Sequence, residues 1–401
     1  MIEIDEARKI VLSHIRPGPV VALPLEDALY RTTAEAIMVD VDCPPFDRAV
    51  MDGYAVRAED TRAAPVILRV IGRVVAGKLF DGEVQPGQAV QINTGAPMPK
   101  GADAVVRIEA TKADETGVGV TVLESVKHGK FVTPRGDFAV AGQSVLAPGT
   151  ILTPAAIGTA ATAGAARVRV YRRPSVAILA TGDELIPVEN RPTAGQVRNS
   201  NAAVLRALVE SANASPVVLD SARDDETALR RNIVLGFQCD MLCVTGGISA
   251  GTLDLVPGVL TSLGSTLHVH KINIKPGRPT IFATNKDEKP IFALPGNPMS
   301  AFIGFELLIR PALAKMEGRP GHAPPTHHGC LLGTLPPTEK RRSYYPARAD
   351  VADDGHWNVQ PLTWHGSGDS IGPATANAMI VRAPESPAAR EYDEVLFLLI
   401  G

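Results

Sequence analysis

Three cations lie within eight residues of one another in the segment KINIKPGR, beside a Pro-Gly turn. Lys271 and Lys275 are an even number of positions apart, so in an extended chain both side chains project to the same side. Together with Arg278 they would hold a phosphate or another oxyanion. Lysines on a solvated edge strand, where they discourage pairing with another strand, explain the same pattern.

Glycine-rich turns follow three apolar runs that read as strands. Gly182 comes directly after SVAILAT, Gly246 and Gly247 after DMLCVT, and a third turn runs from Pro295 to Pro298 after IFAL. In an open parallel sheet, ligands bind at the carboxyl ends of the strands, and glycine lets backbone N–H groups approach an anion. One such turn is most simply a tight connection. Three at one sheet edge favour a ligand site.

Carboxylates accompany these turns. Glu184 and Asp254 lie just after the first and second turns, and Mg²⁺ prefers one or two carboxylates together with substrate phosphate oxygens. Cations and carboxylates at one edge therefore predict a metal-bound phosphate substrate. Asp224 or Asp225 precedes a helical pattern and is most simply an N-cap.

Two further polar positions lie outside this region. Asp52 stands beside a glycine in MDGYA, and Thr94 stands in the Gly/Pro turn INTGAP. Asx and Thr turn chemistry explains either residue by itself.

The composition of the 401-residue chain limits the classes of function. A net charge of −3 provides no positive field for nucleic acid or an acidic membrane, and 4% aromatic residues make base-stacking surfaces improbable. The N-terminus lacks the pattern of a secretory signal, and no apolar run is free of Gly and Pro over a membrane-spanning length. We therefore expect a cytoplasmic protein without a membrane segment. No zinc-like spacing relates the four cysteines, so inert thiols are expected: Cys43, Cys239, Cys243 and Cys330.

Hydrophobic periodicity predicts the elements that position these residues. A helix is expected over 2–16 and a short one around 25–30, and short β-branched runs over 64–150 indicate a β-rich unit. Between 174 and 316, strands alternate with helical patterns, which predicts βαβ units and a parallel, doubly wound sheet. The helices expected there cover 200–212, 225–235 and 298–316.

The last part of the chain begins with a Pro- and His-rich segment, 319–329, that resembles a linker. His322, His327 and His328 lie in it, and histidines occur in polar linkers by chance more often than they bind metal. The residues that follow are expected to be β-rich.

Eight motifs in order resemble the MoeA family of molybdopterin molybdenumtransferases, also found as the E domain of gephyrin. They are MDGYA, INTGAPMPKGADAVV, PRGDF, ATGDEL, RDD, TGGISAGTLD, KINIKPGRP and ALPGNPMSA. The match spans about residues 43 to 310, and Gly366 to Ser370 resembles the last domain of the family more loosely. Ile248, Ala250 and Leu255 depart from common family residues, and these differences affect packing more than charge.

The resemblance implies insertion of molybdate, a substrate, into adenylylated molybdopterin, with release of AMP and Mg²⁺ as cofactor. Glu184 and Asp254 would hold the metal. The residues implied as catalytic are Asp52, Thr94, Asp137, Glu184, Asp224 and Asp254. Those implied or indicated as substrate-binding are Gly246, Gly247, Ser249, Lys271, Lys275, Arg278, Pro295, Pro298 and Ser367.

The resemblance also implies a multidomain α/β protein that forms a homodimer and makes transient contact with molybdopterin adenylyltransferase. A helical and mixed N-terminal domain would comprise 1–42 and 143–173, with a β-rich domain inserted at 43–142. A doubly wound α/β molybdopterin-binding domain would cover 174–320, and a C-terminal β-barrel-like domain 321–401.

Two other functions compete with this interpretation. The fold of molybdopterin adenylyltransferase resembles the 174–320 unit alone, its glycine loop usually reads TGGTG, and it lacks MDGYA and the β-rich flanks. The loop GGISAGTLD and the additional domains of this sequence therefore disfavour that function. A non-catalytic scaffold, as in gephyrin, would not need the acids and lysines that this sequence retains.

Overall fold

The structure is a computed structural model that describes residues 1–115, 117–222, 225–248, 255–319 and 323–400. The chain forms two compact units. Unit 1 comprises Met1–Val21, Tyr30–Thr32 and Val170–Gly401, and unit 2 comprises Ala22–Leu29 and Thr33–Arg169. The division into four domains predicted from the sequence stays a prediction.

The helices and strands are numbered in chain order. The α-helices are α1 (Ile4–Ser13), α2 (Pro154–Thr162), α3 (Ser200–Ser211), α4 (Glu226–Gly236), α5 (Leu255–Ser262), α6 (Pro298–Gly304) and α7 (Arg310–Met316). The strands up to residue 171 are β1 (Val20–Pro24), β2 (Ile37–Met38), β3 (Arg48–Ala49), β4 (Gly53–Val56), β5 (Val66–Val74), β6 (Gln88–Ile92), β7 (Ala104–Arg107), β8 (Thr111–Ala113), β9 (Gly119–Val122), β10 (Val132–Thr133), β11 (Ser144–Leu146) and β12 (Arg167–Tyr171).

The later strands are β13 (Ser175–Ala180), β14 (Leu185–Ile186), β15 (Val197–Arg198), β16 (Ser215–Val218), β17 (Met241–Thr245), β18 (Thr266–Val269), β19 (Ile274–Lys275), β20 (Ile281–Thr284), β21 (Pro290–Leu294), β22 (Thr326–Leu331), β23 (Arg342–Val351), β24 (Trp357–Pro361), β25 (Ala378–Arg382) and β26 (Glu394–Leu399). Within the described ranges, no helix has the length and apolar character needed to cross a membrane.

Unit 2 is built on a six-stranded sheet in the order β7-β4-β6-β5-β9-β8. Apolar side chains on its strands, including Val56, Leu68 and Val106, are buried on the sheet. This confirms the β-rich region expected over 64–150. The short helix expected around 25–30 is only a single 3₁₀ turn, Leu25–Asp27.

Unit 1 contains the sheet on which the glycine turns lie, in the order β16-β13-β17-β21-β20-β18. The first four strands are parallel, as expected, but β20 runs antiparallel to β21 and β18 antiparallel to β20. The prediction of a parallel sheet is therefore confirmed for β16, β13, β17 and β21 and wrong for β20 and β18. The turn between β20 and β21 is too short for a parallel crossover, and Asn285 Oδ1 tightens it by accepting from the N–H groups of Asp287 and Lys289, each at 2.9 Å.

The helix expected over 298–316 is present but is not a regular α-helix throughout. A π-helical turn, Phe305–Ile309, separates α6 from α7. Pro311 lacks the N–H group that would bond to the Leu307 carbonyl, which instead accepts a hydrogen bond of 3.0 Å from Arg8 Nε.

The C-terminal strands close into a barrel, as expected. Five strands follow the order β23-β24-β22-β26-β25, and β25 pairs back with β23. The segment 319–329 is not simply a linker, because β22 begins at Thr326. His327 packs against the rings of Trp357 and Phe397, whereas His328 is exposed, so the two histidines alternate across a strand. His322 lies outside the described residues.

The mixed sheet of unit 1 depends on its buried aromatic residues. Phe292, at the centre of β21, is fully buried and stacks against Phe282 with ring centroids 5.1 Å apart. We expect Phe292→Ala to lower the free energy of unfolding of unit 1 by about 3–5 kcal/mol, measured by urea denaturation. Ile371→Ala is the control, since Ile371 is 83% exposed, and should change it by less than about 0.5 kcal/mol. Equal effects of the two substitutions would contradict this description of the core.

Candidate active site at the carboxyl edge of the mixed sheet

The three glycine-bearing turns meet at one edge of the sheet. They follow β13, β17 and β21, which are neighbouring parallel strands. The Thr181 N–H donates to the Thr245 carbonyl at 2.9 Å, and the Gly246 N–H donates to the Leu294 carbonyl at 3.1 Å. These backbone bonds hold the second turn directly between the other two.

Glycine is required at the centre of this arrangement. Gly246 has φ +97°, and a Cβ there would lie 2.3 Å from the Thr181 carbonyl oxygen. Gly296, in the third turn, would place a Cβ 3.6 Å from the Gly246 Cα. The turns therefore approach one another backbone to backbone, which a side chain at Gly246 would prevent.

A cavity of about 330 Å³ lies beside the third turn. Four residues selected from the sequence line it: Lys275, Arg278, Pro295 and Ser367. Its remaining walls include Asn297 and Ser300 from the third turn and α6, and Arg341, Tyr345 and Trp364 from the barrel region.

The barrel region is joined to the third turn at Ser367. Ser367 Oγ accepts a hydrogen bond of 3.0 Å from Asn297 Nδ2, and the Ser367 carbonyl accepts one of 3.1 Å from the Met299 N–H. Pro298 begins α6, where its lack of an N–H group costs no helical hydrogen bond. The turn that carries Pro295 is thus fixed from both sides.

The two lysines of KINIKPGR differ in their position relative to the cavity. Lys271 and Lys275 are both exposed while Ile272 and Ile274 between them are buried, so the expected alternation is present. Within the described part of the chain, Lys275 lines the cavity and Lys271 does not. Lys275 Nζ lies 3.4 Å from Glu339 Oε1.

Sequence analysis missed Arg341 as a cavity residue. It lies in the run Lys340-Arg341-Arg342, whose last residue begins β23, and its guanidinium lies 3.9 Å from Glu339 Oε2. The signal available was a cluster of cations entering a β-branched and aromatic run, but nothing local indicates that this run lies near KINIKPGR. The pairing of β19 with β23 brings them together.

The first turn carries an exposed carboxylate. Glu184 folds back over Gly182, so that a Cβ on Gly182 would lie 2.6 Å from Glu184 Oε2. No group of three or more His, Cys, Asp or Glu side chains is arranged to hold a metal ion among the residues that the structure describes. Asp224, Ser249 and Asp254 lie outside those residues.

Asp225 is the N-cap of α4, since its Oδ2 accepts from the Ala228 N–H at 2.8 Å. Of the two aspartates considered from the sequence, Asp225 therefore has the capping role. All four cysteines are unpaired, and burial raises the pKa of Cys239 and raises that of Cys243 to about 12, which supports the expectation of an inert thiol at these two positions.

In unit 2, Asp52 and Thr94 contact each other directly. Asp52 Oδ1 accepts from the Thr94 N–H at 2.6 Å and from Thr94 Oγ1 at 2.8 Å. These two hydrogen bonds lower the pKa of Asp52 below its ordinary value. Asp137 is exposed in the turn after Pro134, to whose carbonyl its N–H donates at 3.2 Å.

Comparisons with known proteins agree with the motifs. The sequence model of the family described as the MoeA N-terminal region (domains I and II) matches residues 2–164. The family model described as a probable molybdopterin-binding domain matches residues 177–315. A molybdopterin molybdenumtransferase of Bacillus subtilis (strain 168) is 38% identical over 319 residues, covering 78% of this chain and 74% of that protein. The chain belongs to the molybdopterin molybdenumtransferase family. The relatives are named molybdopterin molybdenumtransferases, and this chain is a transferase with a role in molybdenum cofactor biosynthesis.

Further relatives extend the match to most of the chain. A molybdopterin molybdenumtransferase of Haemophilus influenzae is 32% identical, covering 92% of this chain and 91% of that protein. The solved structure of a MoeA protein from Pyrococcus horikoshii OT3 superimposes with a TM-score of 0.85 at 31% identity, over the full length of both chains. The family resemblance inferred from short motifs is thereby confirmed over both units.

The close backbone approach at Gly246 yields a direct test. We expect Gly246→Ala to lower the free energy of unfolding of unit 1 by about 1–3 kcal/mol, because alanine is strained at φ +97° and its Cβ would overlap a carbonyl. Gly258→Ala is the control, since Gly258 is in α5 and a Cβ there meets nothing within 4 Å; it should stabilise the protein by about 0.5–1 kcal/mol. A neutral Gly246→Ala would show that the turns are not in close contact.

The Asp52–Thr94 contact yields a second test. Thr94→Val removes the hydroxyl donor and keeps the backbone donor, so the pKa of Asp52 should rise part of the way to its ordinary value. A lowered pKa stabilises the folded state above the unfolded pKa, and this stabilisation is lost as the pH falls through the folded value. Carboxyl NMR titration measures the pKa, with Thr94→Ser as the control that keeps the hydroxyl. An unchanged pKa in Thr94→Val would rule out the hydroxyl contribution.

Proposed function

We propose that this protein inserts molybdate into adenylylated molybdopterin and releases AMP, with the cavity beside Lys275 holding the oxyanion. The observation that carries the proposal is the grouping of three cations, Lys275, Arg278 and Arg341, around one cavity next to the glycine turns. Molybdate is a dianion, and cations on a partly enclosed surface attract it more strongly than cations in bulk solvent would.

The charge balance of the cavity suits an exchangeable anion. Glu339 is the acidic partner of both Lys275 and Arg341, at 3.4 and 3.9 Å, but its side chain is 69% exposed. Exposed ion pairs are weak, so a dianion could take over these cations at little cost. Ser367 and Asn297 add hydroxyl and amide groups that can donate to its oxygens.

The glycine turns would hold the pterin phosphate. Their backbone approaches without side chains in between, and N–H groups at such turns are suited to anions. Gly246, Gly247, Pro295 and Pro298 are the proposed binding positions there, with Ser249. Pro295 and Pro298 have no N–H group, and the Gly246 N–H already bonds to the Leu294 carbonyl, so these three would contact the substrate by close approach and not as hydrogen-bond donors. Lys271 is retained as a proposed contact for a part of the substrate outside the cavity.

Mg²⁺ is the proposed cofactor, held by Glu184 and Asp254. The donor chemistry of Glu184 fits, because its carboxylate is exposed at the turn and forms no ion pair with any described residue. When bound, Mg²⁺ would neutralise phosphate charge while the phosphoanhydride bond breaks. Asp52, ionised at neutral pH like an ordinary aspartate, would act as a hydrogen-bond acceptor with Thr94 as its positioning partner. Asp137 and Asp224 complete the proposed catalytic set.

The family also supports proposals about assembly and location. We propose a cytoplasmic homodimer that receives its substrate from molybdopterin adenylyltransferase through transient contact. The four-domain division given under Sequence analysis belongs to the same proposal. Light scattering after size-exclusion chromatography measures the oligomeric state.

The experiment that tests the proposed function measures the release of AMP. The purified protein is incubated with adenylylated molybdopterin and Mg²⁺, with and without molybdate, and AMP is quantified by chromatography. We expect molybdate to stimulate AMP release and molybdenum to be recovered with the pterin product. AMP release that is equal without molybdate, or absent in both, would contradict the proposed reaction.

The counter-ion of the cavity provides a quantitative prediction. Glu339→Gln removes the carboxylate that competes for Lys275 and Arg341, so the molybdate concentration for half-maximal AMP release should fall by about two- to fivefold. Glu391→Gln, an exposed carboxylate of unit 1 outside the cavity lining, is the charge-matched control and should leave it unchanged. A rise in Glu339→Gln, or equal shifts in both variants, would remove the cavity from oxyanion binding.

A further inference from the structure

A buried hydrogen-bond network joins the second and third turns. Asn201, in the first turn of α3, is 9% exposed, and its Nδ2 donates to Thr245 Oγ1 at 2.9 Å and to the Gly296 carbonyl at 2.8 Å. Thr245 Oγ1 in turn donates to the Pro295 carbonyl at 3.2 Å. One amide and one hydroxyl thus connect the end of β17 to two consecutive carbonyls of the third turn.

The orientation of the amide is fixed by its partners. The Gly296 carbonyl can only accept, so the NH₂ group of Asn201 must face it. Both N–H donors of this amide are used for the turns, whereas Asn201 Oδ1 is buried and has no hydrogen-bond partner among the described residues. A buried oxygen without a donor destabilises the fold, so the amide is better explained by the positions it fixes than by the stability it adds.

Thr245 contacts all three turns. Its backbone carbonyl accepts from the Thr181 N–H at 2.9 Å in the first turn, and its side chain bonds to the third turn. Thr245 is itself the last residue of β17, immediately before Gly246. Thr245 is 2% exposed, so its hydrogen bonds are shielded from solvent.

We propose that Asn201 and Thr245 are positioning residues for the reaction, which set the separation between the Gly246–Gly247 turn and the turn from Pro295 to Asn297. The proposal rests on the proposed function. Asn297 lies in the cavity wall and bonds to Ser367, so displacement of the third turn would also displace the oxyanion site relative to the pterin-phosphate site. Reacting groups displaced by about 1 Å can lose about 100-fold in rate.

Asn199 provides a matched control on the same helix. It is the N-cap of α3, and its Oδ1 accepts from the Ala202 N–H at 3.1 Å while its Nδ2 donates to Ser221 Oγ at 3.0 Å. Among the described residues, it makes no hydrogen bond to the second or third turn. Asn199→Ala therefore removes a helix cap and leaves the network intact, and it is expected to lower the melting temperature without changing the kinetic constants.

The experiment measures kcat, KM for both substrates and melting temperature for variants of the full chain. Asn201→Ala and Thr245→Val should each lower kcat/KM by about tenfold or more, whereas Thr245→Ser, which keeps the hydroxyl, should stay within about twofold of the parent. The double variant Asn201→Ala/Thr245→Val should lose little more than either single variant, because both remove one network. Asn201→Asp should be at least as impaired as Asn201→Ala, since its carboxylate would face the Gly296 carbonyl.

A second readout does not require activity. In Asn201→Ala, hydrogen exchange at the Gly246 amide, which bonds to the Leu294 carbonyl, should become faster, while it stays unchanged in Asn199→Ala. Parental kinetics in Asn201→Ala and Thr245→Val would overturn the inference, as would an activity loss in Asn199→Ala as large as theirs. If Asn201→Ala does not fold, the Thr245→Val and Thr245→Ser pair decides between the outcomes.

The two proposals can fail separately. A parent protein that releases no AMP overturns the proposed function, and unchanged hydrogen exchange in the variants then overturns the network as well. A parent protein that is active, with variants that retain its kinetics, overturns only the positioning role of Asn201 and Thr245.

Discussion

The site depends on one close backbone approach. Gly246 lies so near the Thr181 carbonyl that any Cβ there would overlap it, and its N–H group bonds on the other side to the Leu294 carbonyl. Because β13, β17 and β21 are adjacent and parallel, their three turns are forced to leave the sheet at the same edge. A side chain at this point would overlap the Thr181 carbonyl, so the first and second turns could not keep their present separation.

The cavity lined by Lys275 is assembled from distant parts of unit 1. Lys275 is the last residue of β19 and Arg278 follows it, Arg341 precedes β23, and Ser367 comes from a loop between β24 and β25. The barrel therefore supplies one wall of the site, and its strand β23 pairs with β19 next to Lys275. Through this pairing the barrel region adds Arg341 to the cations that the KINIKPGR segment brings to the cavity.

Sequence patterns predict the part of the site that local rules determine. Strands that end in glycine turns, alternating with helices, indicate the sheet edge on which the turns of Gly182, Gly246 and Gly296 lie, and the even spacing of Lys271 and Lys275 is reflected in their shared exposure. These patterns do not predict the antiparallel pairing of β20 with β21, because the short turn at Asn285 determines the strand direction. The place of Arg341 in the cavity lining is not predicted either, because only the long-range pairing of β19 with β23 brings it there. The start of the strand Thr326–Leu331 is not predicted, because the nearby prolines and the histidines obscure the alternation of apolar and polar residues that is typical of a strand.

The most direct test of the central claim locates the oxyanion itself. Crystals grown with molybdate and measured at the molybdenum absorption edge would show the metal as an anomalous peak. We expect one peak inside the cavity, within hydrogen-bonding reach of Lys275, Arg278 or Arg341, and its loss when Lys275 is replaced by alanine. A peak at another surface, or none at a molybdate concentration that saturates AMP release, would contradict the account.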